Sequence, residues 1–112
     1  MISILTRLER WYADQCEEVN DTGTPWQHRY GLGINTSDNP AWNIGIELTG
    51  TALEGISIPQ FIYENGDNDW YQCQIQNNQF SGIGDPFKLE VMLAWFFEIV
   101  DQHEGGVGRK GQ

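Results

Sequence analysis

The sequence predicts an α+β domain, with an antiparallel meander sheet of four to five strands and an N-terminal and a C-terminal helix packed on one face. Three observations carry that expectation. Apolar residues recur at helical spacing near both ends of the chain, they alternate at strand spacing between those ends, and turn residues punctuate the alternation. A length of 112 residues fits one domain. We read residues 1–104 as that domain and 105–112 (GGVGRKGQ) as a flexible tail with too little apolar surface to order itself.

The first helix starts at Ser3, whose hydroxyl suits a cap, and places Ile4, Leu5, Leu8, Trp11 and Tyr12 on one face. Polar and breaker residues from Asn20 to Pro25 end it. In HRYGLGIN the residues His28, Tyr30, Leu32 and Ile34 share one parity, which reads as a half-buried strand. Trp42, Ile44, Ile46 and Leu48 repeat the pattern, so the two strands form a hairpin. Its corner is TSDNPA, where Asp38 and Asn39 hydrogen-bond nearby backbone and Pro40 fixes its own φ.

ISIPQFIY is a third strand, apolar on both parities, and Pro59 within it predicts an edge position or a bulge because proline donates no ladder hydrogen bond. After the turn residues ENGDND, a fourth strand runs to Gln76. Tyr71, Cys73 and Ile75 face inward, and Trp70, Gln72, Gln74 and Gln76 face outward. NNQFSGIG reads as a turn followed by a short strand or irregular segment. Asp85 as cap and Pro86 at the first helical position then open the last helix, striped by Leu89, Met92, Leu93, Phe96, Phe97 and Val100 and widened by Trp95 and Ile99.

With both helices on one face, the other face of the sheet is left uncovered. Gly31, Gly33 and Gly45 fall on it, either to permit close approach of another backbone or to let the sheet twist or bulge sharply.

The formal net charge is −10, which disfavours nucleic acid and anionic membranes and favours a basic partner. The charge is concentrated. Between Tyr30 and Phe87 there is no Lys, Arg or His, while Asp38, Glu47, Glu54, Glu64, Asp67, Asp69 and Asp85 lie there. The bland alternative is that these acids only keep a small domain soluble.

Catalytic chemistry finds little support. The histidines are His28 and His103, and neither pairs in pattern with a nucleophile. Cys16 and Cys73 belong to no CxxC or HxxxH motif, and YENGDND lacks the spacing of a calcium loop, so no metal and no cofactor are expected. The opening MISILTRLERWY lacks the layout of a secretion signal, and no apolar run approaches the ~20 residues of a membrane helix. Both cysteines are therefore expected to be reduced, in a cytoplasmic protein.

Laid in order, WYADQC at 11–16, WQHRYGLGI at 26–34, TSDNPAW at 36–42, LTGTALEG at 48–55, then DWYQC and NNQFSGIG, make the chain resemble the immunity 53 family of bacterial polymorphic toxin systems. Two positions depart from that family's common pattern: Ala41 stands where a glycine usually follows the proline, and Gln27 where an acid usually follows the tryptophan. The resemblance implies a small intracellular protein without enzymatic activity that binds and neutralises a cognate toxin domain.

An acidic surface suits a basic toxin of nuclease type. The expected contacts are Asn43, Glu47, Glu64, Asp67, Asp69 and Trp70, on the outer face and its acidic rim. The alternative from another class is a sulfurtransferase-like enzyme with Cys73 as nucleophile. QCQIQNNQF offers that cysteine neither a glycine-rich cradle nor a basic neighbour.

Overall fold

The computed structural model describes residues 2–16, 31–38 and 40–104. In chain order these form α1 (Ile4–Cys16), β1 (Leu32–Ser37), β2 (Ala41–Glu47), β3 (Ile58–Glu64), β4 (Trp70–Gln76), β5 (Gln79–Gly84) and α2 (Leu89–Glu104). The expected end of the first helix at 20–25, the start of the first strand at 28–30 and the tail at 105–112 lie outside the described residues, as does Asn39 in the first turn.

The five strands form one antiparallel sheet in the order β1-β2-β5-β4-β3, so the fold is α+β as expected. The order refines the meander. β1–β2 is a hairpin, β3–β4–β5 is a meander, and β5 docks on β2 to place the last strand at the centre. The segment read as a short strand or irregular stretch is thus the middle of the sheet. Its register sets Ile44 beside Gly82 and Ile46 beside Phe80, and on its other side Cys73 beside Gly82 and Ile75 beside Phe80.

Those residues face the helices. Ile46, Ile75, Phe80, Met92 and Phe96 are fully buried, and Leu8 and Trp11 of α1 join them in one cluster. The rings of Phe80 and Phe96 lie 5.1 Å apart, and Phe96 meets the edge of Trp11 at 5.4 Å. Gly82 and Gly84 bring α2 down onto the sheet. A Cβ on Gly84 would stand 2.9 Å from the Tyr71 Cβ and 3.0 Å from the Lys88 Cβ, and one on Gly82 would stand 3.2 Å from the Met92 Sδ.

Helix α1 is capped as expected, the Thr6 N–H donating to the Ser3 Oγ at 3.1 Å. Its apolar face is narrower than the sequence suggests: Leu5 and Tyr12 are exposed, and Gln15 is buried in their stead. Arg7 ties α1 to α2 by forking onto Asp101 and lying 4.7 Å above the Phe97 ring.

Helix α2 begins later than its sequence signal. Asp85 does not cap it; the helix starts at Leu89, with the Lys88 carbonyl accepting from the Met92 N–H. Asp85 is instead buried and makes a turn of its own.

Pro59 behaves as its chemistry requires. β3 is an edge strand, and its register to β4 shifts between Ile58 and Phe61, so both alternatives for this proline are realised. At the β4–β5 turn, Asn77 and Asn78 take φ values of 55° and 60°, the pair of left-handed residues that a two-residue hairpin turn demands. The chain leaving β2 is pinned to this turn: the Leu48 N–H donates to the Asn78 carbonyl at 2.8 Å, and the Gly55 N–H to its Oδ1 at 2.7 Å.

Candidate functional site

Antiparallel pairing sends alternate residues to opposite faces, so the register that buries Ile44, Phe80 and Cys73 lays the remaining side chains on a face that, among the described residues, no helix covers. One row crosses all five strands as Asn35, Asn43, Ile83, Gln72 and Ile62. The next reads Gly33, Gly45, Ser81 and Gln74, and a third Glu47, Gln79 and Gln76. The face is largely a field of neutral amides, and Glu47 is the one carboxylate in these rows.

Two shallow clefts mark it. One of about 350 Å³ is lined by Asn43, Gln60, Gln72, Gln74, Ser81 and Ile83. The Gln60 amide donates to the Gln72 Oε1 at 3.1 Å, and the Asn43 amide to the Ser37 Oγ at 3.2 Å, which orients amides that no core contact holds. The other, of about 380 Å³, lies over Gly31, Gly33 and Gly45, with Asn35, Glu47 and Gln79 around it. Gly31 has a φ of +138°, so its backbone alone calls for glycine. Gly33 has no such reason, because a Cβ there would meet nothing within 4 Å.

The structure divides the six residues expected from sequence. Asn43 and Glu47 sit together on the bare face of β2, and Glu47 accepts from the Thr49 hydroxyl at 2.6 Å. Glu64 and Trp70 pair across the end of the β3–β4 hairpin, Glu64 exposed and Trp70 half-buried. Asp67 is exposed at the tip. Asp69 is already engaged: it accepts from the Tyr63 hydroxyl at 3.0 Å and the Asn65 amide at 3.1 Å, and pairs with the Lys88 Nζ at 2.7 Å.

That pair belongs to a latch. Lys88 also reaches Asp85 at 3.0 Å, and the Asp85 carboxylate accepts from the Trp70 N–H at 2.8 Å and the Phe87 N–H at 2.7 Å. The Lys88 ammonium, then the Asn65 amide, hold the Asp69 carboxyl below its usual range. Burial pushes Asp85 up, but the Trp70 and Phe87 N–H groups and Lys88 outweigh it and bring its pKa down. Asp69 and then Asp85 raise Lys88. The Trp42 indole N–H closes the same end of the molecule, donating to the Pro86 carbonyl at 2.9 Å, so the first hairpin corner braces the approach to α2.

Sequence reasoning missed Gln79, Ser81 and Ile83, which form the middle of the bare face because β5 is central. The alternation of QFSGIG was their only signal, and glycines at two of its three inner positions blurred it.

Nothing in the site favours sulfur chemistry at Cys73. Cys73 is 1% exposed beneath α2, and burial pushes its thiol up to about 12, so it carries no thiolate at neutral pH. Cys16 and Cys73 are both free thiols, as expected. Among the described residues, no three His, Cys, Asp or Glu side chains gather to hold a metal ion, and no helix is long and apolar enough to cross a membrane.

No curated protein and no solved structure matches the chain. The sequence profile of immunity protein 53 does, over residues 5–101, which takes in both helices but for their outermost residues and every strand of the sheet. The chain, acidic in composition and with one sheet face left uncovered among its described residues, belongs to the immunity protein 53 family.

Proposed function

We propose that this immunity protein neutralises a cognate toxin domain of a bacterial polymorphic toxin system by seating it on the bare face of the sheet. The observation that carries the reading is that face itself: a broad field of amides, uncovered among the described residues, with open space over Gly33. Amide side chains both donate and accept, so they can satisfy a partner's polar surface without the desolvation cost of burying charge.

The contacts are Asn43 and Glu47 on β2, and Trp70, Glu64 and Asp67 at the hairpin end, with Asp69 holding that end in place rather than meeting the toxin. A net charge of −10 on a surface of this size steers a basic partner, such as a nuclease-type toxin, towards the rim. The protein acts in the cytoplasm, by occupancy and without catalysis.

Binding kinetics with the toxin domain encoded beside this gene test the proposal. Glu47→Lys with Asp67→Lys is expected to slow association about tenfold and flatten its salt dependence, and Trp70→Ala to hasten dissociation. Unchanged rates for these folded variants would move the toxin to another surface.

A further inference from the structure

We propose that the free edge of β3 is a self-association surface, on which a second copy of this chain pairs its own β3 antiparallel about a twofold axis at Ile62. The proposal is independent of toxin binding, because it concerns the edge of the sheet and not its bare face.

An edge strand presents unpaired backbone groups, and folded proteins blunt such edges with lysines, prolines or bulges. β3 carries its protection only at the start, where Pro59 and the register shift spoil the ladder between Ile58 and Phe61. Beyond them Phe61, Ile62 and Tyr63 are 43%, 52% and 37% exposed. Three consecutive large apolar residues thus lie open on a strand that pairs with β4 on one side and, among the described residues, with nothing on the other.

The backbone polarity of this stretch follows from its hairpin. The Asn65 N–H donates to the Asp69 carbonyl at 2.8 Å, and the register continues without a break through Glu64 and Trp70, Tyr63 and Tyr71, and Ile62 and Gln72. Antiparallel ladders alternate bonded and non-bonded pairs. Phe61 and Tyr63 therefore spend their backbone groups on β4, while Ile62 and Glu64 point theirs at open solvent.

A twofold axis at Ile62 uses those groups and sets complementary side chains opposite one another. Ile62 meets Ile62, Phe61 of one copy meets Tyr63 of the other, and Gln60 meets Glu64, so no like charges face each other directly. Phe61 and Tyr63 already lean on Tyr71, at 5.8 and 5.6 Å between ring centroids, and the second copy would extend that aromatic row. Charge points to the same segment. Residues 57–63 (SIPQFIY) carry no ionisable group except the tyrosine, in a chain of net charge −10. Two such chains repel at long range, and a contact through a neutral stretch keeps that repulsion lowest.

The sign of the salt dependence separates this contact from a toxin seat. Screening weakens the attraction between an acidic protein and a basic partner, but it relieves the repulsion between two acidic copies. Sedimentation velocity of the full chain without toxin, over a concentration series at low and high sodium chloride, is expected to show a monomer–dimer equilibrium that tightens with salt. Ile62→Lys sets two cations face to face, and is expected to weaken the dimer about tenfold or more while leaving the thermal melt unchanged at concentrations where the chain is monomeric. Amide exchange at Ile62 and Glu64 should slow as protein concentration rises. A chain that stays monomeric throughout overturns the proposal, and so does a dimer that survives Ile62→Lys with those amides unprotected. A monomer whose Ile62→Lys variant loses toxin affinity also overturns it, and would assign the strand to the toxin.

Discussion

On the helix-covered face of the sheet, Gly82 and Gly84 lie where even a methyl group would press on Met92, Lys88 and Tyr71; on the bare face, Gly33 lies where a methyl group would touch nothing. The same residue type answers two different needs. Inside, glycine lets α2 rest on the central strand, and the chain's own packing explains it in full. Outside, no packing among the described residues calls for glycine at Gly33, which leaves sheet twist or the close approach of a partner as its reason.

The sharpest way to break this contrast is to cut into both faces of one strand. Phe80→Ala removes a buried ring and is expected to cost about 3 to 5 kcal/mol in denaturant melts. Its neighbour Ser81→Ala, on the bare face, should stay within about 0.5 kcal/mol. Comparable losses for the two would mean that both faces are packed. Gly84→Ala is the next test. The added carbon has the Tyr71 Cβ and Lys88 Cβ against it rather than flexible side-chain ends, so α2 must shift, at about 1 to 3 kcal/mol.

A smaller effect concerns the latch that ties the hairpin end to α2. Asp69 and Asp85 have folded pKa values below the ordinary 3.8, so their contribution is complete above that value and is lost as pH falls through the folded ones. Lys88 lies above its ordinary 10.5, so its contribution is complete below that value and is lost as pH rises through the folded pKa. Melting temperatures of the protein and of Lys88→Met, compared across pH, should differ by a constant amount in the neutral range and converge at both extremes. A difference independent of pH would assign the role of Lys88 to packing alone.

The smallest change in stability should carry the largest change in binding. Gly33 has an ordinary strand φ, so Gly33→Ala should stabilise the fold by about 0.4 to 1 kcal/mol through the unfolded chain. If the toxin backbone approaches there, the same variant binds more weakly. Equal affinity would leave sheet twist as the reason for the glycine.

The contrast also explains which parts of the molecule the sequence revealed. Where a strand buries side chains of its own, as in β2 with Ile44 and Ile46 or β4 with Cys73 and Ile75, alternation exposed both faces, and with them Asn43 and Glu47. Pro59 disclosed its edge and bulge because a missing N–H has few places to go. β5 stayed obscure because the space over Gly82 and Gly84 is filled from elsewhere, by Met92 and Lys88, and no local pattern records a distant side chain. The role of Asp69 was hidden for a related reason: its cation lies 19 positions away, across a turn and a strand pair that alternation alone does not fold together.

The two-residue turn at Asn77 and Asn78 has a bearing on how the molecule assembles in time. It joins neighbouring strands with almost no loop to close, so the β4–β5 hairpin can form early, whereas pairing β5 with β2 must bring together residues more than thirty positions apart. Because Asn78 also holds Leu48 and Gly55, the hairpin tip that forms first presents the groups that catch the returning chain. Asn78→Ala is therefore expected to slow refolding in stopped-flow traces more than it speeds unfolding. The reverse partition would place this turn among the last parts to order.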